Sequence, residues 1–283
     1  MTVRAPLIAL LSAATLALTV TAAAPPPQEQ PGEAAPELQV PLDHNGFTGP
    51  IVTVPAKGTV DTFVPCPSGT VPSGGGGGVT GQGSFISGSA ASGNGWALKA
   101  SNITDVAKQA AAYVVCTAAT HTRITGARVS VPGGGNATAF ADCPSGWRPS
   151  GGGFVTNEPF LSASRMDIDT NGRWRVDLAN NDGPAHSASA FVVCTTVPVT
   201  VRQTSIVLDS GEQDHVTAVC LPGQRITGGG AHAPNSGTGV PPQPGVAINT
   251  NRGLPEPTGW GVHAKNHTDR PQELFIQAYC TTS

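Results

Sequence analysis

Apolar and polar positions fall into three regimes along the chain. Ala5 to Val20 is an apolar run broken only by Pro6, Ser12, Thr15 and Thr19, with Arg4 ahead of it and Val20-Thr21-Ala22-Ala23 behind. A positive start, a short apolar stretch and small residues at a cut predict a secretory signal over residues 1–24. The run falls short of the ~20 apolar residues that a membrane span needs. Residues 25–48 follow as a proline-rich linker, with almost nothing to pack between Ala24 and Pro41. Beyond it, short apolar segments recur at strand length. Trp174-Arg175-Val176-Asp177-Leu178-Ala179-Asn180 alternates with the period of a half-buried strand. Ala112-Tyr113-Val114-Val115, Ala190-Phe191-Val192-Val193 and Ile276-Gln277-Ala278-Tyr279 share the β-branched and aromatic enrichment of buried strands.

These segments belong to an internal repeat. Cys66, Cys143 and Cys220 stand 77 residues apart and open similar turns: Cys66-Pro67-Ser68-Gly69, Cys143-Pro144-Ser145-Gly146 and Cys220-Leu221-Pro222-Gly223. A glycine triplet follows each at one offset, starting at Gly74, Gly151 and Gly228. Trp96, Trp174 and Trp260 come next, and six residues after each stands Asn102, Asn180 or Asn266. Fourteen residues further lie Cys116, Cys194 and Cys280. Such periodicity marks a repeat architecture, with repeats over 49–120, 121–198 and 199–283.

The alignment also decides a local ambiguity. Thr104 to Val115 alone has the look of a helix, but its counterparts hold Gly183-Pro184 and Pro271, which a helix interior does not accept. A turn and a strand are expected in all three. Strands are expected to end near Val54, Val131 and Leu208, to run into the first cysteine, to follow the glycines, to link tryptophan to asparagine, and to reach the second cysteine. The fold class is therefore all-β, with three pseudo-equivalent repeats of four to five strands. A β-prism-like threefold arrangement is favoured over three tandem small β-sandwich units or a trefoil. Asn235 to Thr258 is expected as a long insertion in repeat 3.

Six cysteines in an exported chain imply three disulfides. Fifteen pairings exist, and threefold equivalence joining first-type to second-type cysteines leaves three. The simplest is Cys66–Cys116, Cys143–Cys194 and Cys220–Cys280. No Cys-x-x-Cys pair favours a metal instead.

The succession of Cys-Pro-x-Gly, glycines, tryptophan and asparagine, then Val-Val-Cys-Thr resembles repeats of exported actinobacterial proteins of unassigned function. It spans about Val52 to Thr281. More distantly, threefold Cys-Pro-x-Gly units ending in a strand and a cysteine resemble vitelline membrane outer layer proteins. That resemblance implies a β-prism; the glycine triplets and the 77-residue spacing depart from it.

Composition narrows the function. Charged residues are 12% of the chain, about half the ~25% of an ordinary soluble domain, and the formal charge is −3. No basic stripe exists for nucleic acid. Nucleophile elbows, zinc-protease helices and phosphate loops are absent as motifs, and no carboxylate pair recurs in the repeats. No cofactor is implied. Shared residues are first accounted for by the fold: the repeated tryptophans by the core, the repeated asparagines by Asx-type turns.

Candidate ligand-binding residues are those that break the repeat. Trp147 stands where its counterparts are Thr70 and Gln224, with Arg148 beside it, and an exposed indole there would offer a stacking surface. His263, Lys265 and His267 lie close together in repeat 3. Asp167, Asp169 and Asn171, with Gly172, have the spacing of the first half of a calcium loop, but Leu178 holds the place of the bidentate glutamate. A plain hairpin is the favoured reading there, and no metal is expected.

The expectation is a secreted, disulfide-stapled, non-catalytic binding module for extracellular polysaccharide or other cell-envelope material. A secreted structural protein comes second and a hydrolase third. Without a cysteine near the cut, lipid anchoring is not expected. Leu254-Pro255-Glu256-Pro257-Thr258-Gly259 has one residue too many for a wall-sorting signal and no hydrophobic tail behind it, so covalent wall anchoring is not expected either. Non-reducing mass mapping of the protein is expected to return three bonds and no free thiol; two or more free thiols would remove the framework.

Overall fold

A chain of short alternating segments, rich in glycine and proline, has no stretch with a helical apolar stripe to bury. Among its described residues, the computed structural model accordingly contains strands joined by turns and loops, without a helix. It describes residues 43–156, 158–234, 245–254 and 258–282; the leader over 1–24, residues 25–42 of the linker, and Asn235 to Pro244 of the expected insertion lie outside the described residues. No helix among the described residues is long and apolar enough to cross a membrane.

Repeat 1 contains β1 (Asn45–Thr48), β2 (Val52–Val54), β3 (Thr59–Pro65), β4 (Val71–Val79), β5 (Ser84–Ser92), β6 (Gly95–Asn102) and β7 (Lys108–Thr117). Repeat 2 contains β8 (His121–Val131), β9 (Asn136–Ala141), β10 (Arg148–Thr156), β11 (Leu161–Ile168), β12 (Trp174–Asn180) and β13 (His186–Thr195). Repeat 3 contains β14 (Thr200–Leu208), β15 (Gln213–Val219), β16 (Gln224–His232), β17 (Val246–Gly253), β18 (Gly259–Asn266) and β19 (Gln272–Thr282). β1 and β2 together occupy the place of β8 and β14, interrupted at Gly49-Pro50-Ile51, where Pro50 has no N–H to donate to β7.

Three expectations change. Each repeat has six strand positions rather than four or five, because the glycine triplets lie inside strands β4, β10 and β16. Asn45–Thr48, within the expected linker, pairs with Cys116–Tyr113 of β7. Val246–Gly253, within the expected insertion, is a strand equivalent to β5 and β11.

The strands form three sheets. Sheet I runs β1–β7–β4–β17–β18–β15, with β2 also on β7; sheet II runs β3–β6–β5–β10–β13–β8; sheet III runs β14–β19–β16–β11–β12–β9. Each sheet is thus built from halves of two repeats: 3 and 1, 1 and 2, 2 and 3. No repeat owns a whole sheet, so the units are not independent beads, and the sheets are open rather than closed barrels. Seams between halves are short. Gly77 and Gly78 face Asn251 and Thr250, Phe154 faces Ser89, and Ala231 and His232 face Met166 and Arg165.

Each glycine of a triplet has a separate steric reason. A Cβ on Gly74, Gly151 or Gly228 would meet the backbone of the preceding repeat's equivalent strand, taken cyclically, so these three positions pack on one another at the centre. A Cβ on Gly75, Gly152 or Gly229 would overlap the indole of Trp96, Trp174 or Trp260. One on Gly76, Gly153 or Gly230 would strike a carbonyl across the seam, at Asn251, Ser89 or Met166. The backbone therefore replaces side chains as the packing surface, which explains glycine inside strands that propensity alone disfavours.

The residue before each triplet closes a ring. Ser73 Oγ donates to the Thr227 carbonyl (2.9 Å), Ser150 Oγ to the Ser73 carbonyl (2.7 Å), and Thr227 Oγ1 to the Ser150 carbonyl (2.8 Å). All three residues are buried. A second ring is aromatic: Trp96 meets Phe191, Trp174 meets Tyr279 and Trp260 meets Tyr113, edge to face with centroids 6.1, 6.0 and 6.1 Å apart. Each tryptophan covers its own repeat's core and touches an aromatic of the next, an arrangement favoured by the ring quadrupoles.

The repeated asparagines form Asx turns. Asn102, Asn180 and Asn266 accept from the backbone N–H two residues on, at Thr104, Asp182 and Thr268. Their Nδ2 groups donate to carbonyls at or just after the first strand position's end, at Pro55, Val131 and Leu208. Disulfides join Cys66 to Cys116, Cys143 to Cys194 and Cys220 to Cys280, each with Cα atoms 5.7 Å apart. Each staples a strand end of one sheet to the last strand of its repeat in another. Closing loops of 50, 51 and 60 residues stabilises each by about 4 kcal/mol in the chain-entropy model.

Trp174→Ala is expected to cost about 3–5 kcal/mol, as for other fully buried large aromatics. Ser150→Ala is expected to cost about 1–3 kcal/mol, because the buried Ser73 carbonyl loses its ring donor. Urea denaturation measures both, and a Trp174→Ala midpoint equal to that of the wild type would contradict the packing described.

Candidate binding site on the bend of sheet I

Where two halves of a sheet meet, only one or two residue pairs join them. The outer side of this seam, the bend of the sheet, is where side chains either fill or leave a space. The threefold repeat makes three such bends, and their occupants differ. Gly78, Val155 and His232 are equivalent, each twelve residues after the first cysteine of its repeat. Ala111, Ser189 and Phe275 are equivalent, each five before the second.

In sheet III the bend is filled. His232 stacks on Phe275 with ring centroids 4.9 Å apart and an interplanar angle of 12°. Its Nδ1 is hydrogen-bonded to the Asp167 carboxylate, which is fully buried and also accepts from Arg165 Nε at 2.6 Å. In sheet II, Val155 occupies the position and stays partly exposed. In sheet I neither Gly78 nor Ala111 has a side chain large enough to fill the space, and a groove of about 560 Å³ remains.

That groove crosses the sheet. Thr48 and Ile51, at the interruption between β1 and β2, form one rim, and Thr80 to Gln82 of the β4–β5 turn form another. Gln109 comes from β7, Thr250 and Arg252 from β17, His263 from β18 and Gln213 from β15. No aspartate or glutamate is among its described lining residues. Arg252 has no ion-pair or hydrogen-bond partner for its guanidinium among the described residues. It lies near the Tyr113 hydroxyl: burial pushes that phenol up to about 12, with the Arg252 charge acting in the opposite sense.

The structure separates the candidates read from sequence. His263 lines the groove, and Lys265 follows two residues along on β18, turned to the same outer face. His263 lies directly across from His215 on β15. Burial, then the His215 charge, holds His263 below the ordinary histidine value of 6.5, against the opposing charge of Asp214. His267 stands in the turn after β18; burial and then Lys265 lower it too. Both rings are therefore neutral at pH 7, each with one donor and one acceptor.

Trp147 and Arg148 lie elsewhere, at the turn entering β10. The Trp147 N–H donates to the Pro144 carbonyl at 2.9 Å, and its side chain is half-buried against the core rather than displayed as a free platform. Only Arg148 is exposed there.

Asp167, Asp169 and Asn171 do not converge on one point. Asp167 serves the sheet III bend. Asp169 closes the β11–β12 hairpin, accepting from the N–H groups of Asn171 (2.8 Å) and Arg173 (3.0 Å) and pairing with the Arg173 guanidinium at 2.9 Å. Arg173 in turn lies 3.9 Å over the Phe140 ring. Asn171 is exposed.

Gln109, Gln213, Thr250 and Arg252 were not among the residues singled out from sequence. The available signal was Arg252, the one charged residue of Val246–Gly253, a segment masked by its placement in an expected insertion. No family model matches this chain, and no curated protein matches it.

The Asp169 carboxyl is raised by burial but lowered more by the Arg173 and Asn171 hydrogen bonds and the Arg173 charge, for a net value below 3.8. Its stabilising contribution is therefore present above the unfolded value and lost as pH falls through the lower folded one. Asp169→Asn is expected to lower the urea midpoint at pH 6, and the gap to wild type is expected to narrow at pH 2.5. A gap that widens with acid would reverse the sign.

Proposed function

We propose that the protein is a secreted, non-catalytic binding module for carbohydrate or cell-envelope material, and that its ligand occupies the groove of sheet I. The observation that carries this reading is the difference between three equivalent bends: one filled by an internal ion network, one bearing an exposed valine, one open. The open one sets amides, hydroxyls, an imidazole and a guanidinium among apolar and small residues such as Ile51, Val79, Ala110 and Ala111, and its polar groups match the hydroxyl-rich edge of a sugar. Each such hydrogen bond contributes about 0.5–1.5 kcal/mol net. Several together, on a rigid sheet that loses little entropy on binding, make a specific site. The disulfides suit a module that works outside the cell.

Retention of the mature protein on insoluble peptidoglycan, chitin and cellulose tests this reading. Ala111→Phe places in sheet I the side chain that fills sheet III. It is expected to lower retention on the bound polymer at least tenfold with the melting temperature unchanged within a few degrees. Val155→Ala, on sheet II, is expected to leave retention as it is. Undiminished retention of Ala111→Phe would move the ligand away from the groove.

A further inference from the structure

We infer that the ligand held in the sheet I groove is a saccharide bearing a carboxylate, which Arg252 receives. The inference rests on the reading of the groove as a saccharide site and goes beyond it by assigning the charge of the ligand.

The molecule contains its own comparison. At the seam of sheet III, Arg165 faces His232 and Asp167 stands two residues further along β11. At the seam of sheet I, Thr250 faces Gly78 and Arg252 stands two residues further along β17. Arg252 thus takes the place of Asp167. In sheet III the bend encloses a carboxylate, fully buried, between a guanidinium and an imidazole. This shows that the geometry of the bend can desolvate an acid when an arginine and a histidine share it.

Sheet I inverts that charge: a guanidinium holds the place of the acid, and Thr250 and Gly78 hold the places of Arg165 and His232. Arg252 and His263 line the groove, Lys265 lies beyond, and no carboxylate is among the described lining residues. The nearest acid acting on His263 is Asp214, an exposed residue on the edge strand β15, whose Oδ1 accepts the His215 N–H at 2.7 Å. A half-buried guanidinium without a partner among the described residues presents a planar fork of N–H donors, which fits a carboxylate through two parallel hydrogen bonds. The groove has no phenylalanine, tyrosine or tryptophan among its described lining residues. Charge and hydrogen bonds, rather than stacking on a ring, therefore select the ligand.

A matched pair of probes separates charge from sugar. One is a tetrasaccharide of alternating N-acetylglucosamine and N-acetylmuramic acid, which carries lactyl carboxylates. The other is chitotetraose, the same backbone without them. Calorimetric titration of the mature protein is expected to give at least tenfold tighter binding of the acidic probe at 50 mM salt, with the margin shrinking at 0.5 M salt. Arg252→Gln is expected to bring the two affinities within about twofold of each other, and Arg252→Lys to retain part of the preference, with melting temperatures confirming that both variants fold. Equal affinities in the wild type, or a full preference kept by Arg252→Gln, overturn the inference. If both probes bind equally and Ala111→Phe abolishes both, the saccharide groove stands and its acid selectivity falls. Binding of neither probe overturns both.

Discussion

Three strands approach so closely at the centre of this molecule that no Cβ fits between them. Gly74, Gly151 and Gly228 are the points of contact, and the rest of the architecture depends on their closeness. Because the backbones touch, the hydroxyls of Ser73, Ser150 and Thr227 reach the carbonyls of neighbouring repeats and close a ring. Because the next glycine also lacks a side chain, each tryptophan lies flat on its own repeat and still meets an aromatic of the following one. A fold with few large apolar residues is thereby held by backbone contact, three indoles and three disulfides. Its stability is cooperative across repeats, since each interlock takes one partner from each of two neighbours.

The same interlocking gives each sheet one seam, where halves of two repeats meet through one or two residue pairs. Symmetry fixes the three seams but not what stands on them. Two positions decide the contents: the one twelve residues past the first cysteine and the one five before the second. Histidine with phenylalanine closes the bend of sheet III over a buried acid, whereas glycine with alanine opens that of sheet I. Scaffold and site are in this way carried by different residues of one strand. Gly76 serves the seam, while Gly78, two places on, leaves the groove.

Much of the scaffold was legible in the sequence. The cysteine, tryptophan and asparagine spacings identify the repeats, and with them the three disulfides, the buried indoles and the Asx turns. Strand ends at Val54, Val131 and Leu208 match the expected ones. The glycine triplets were misjudged because glycine normally weakens a strand, and the backbones that compensate come from repeats 77 and 154 residues away. β17 was hidden because the length added before Trp260 obscured its equivalence to β5 and β11. The site was legible only in part. His263 and Lys265 stood out as polar chemistry close together in repeat 3, but the groove is a product of two repeats meeting. Nothing local to Gly78 or Arg252 announces that they face one another across a seam. At Trp147 an aromatic in a polar turn position suggested exposure, and its side chain is half-buried against the core.

The central claim is that a threefold scaffold carries a single differentiated face. Amide chemical-shift mapping of the labelled protein, titrated with a carboxylate-bearing glycan tetrasaccharide, tests it most directly. The account predicts one site per chain, with shifts concentrated on β7, β17 and β18 around Gln109, Arg252 and His263. Shifts of similar size on all three sheets, or centred on the turn at Trp147, would contradict it.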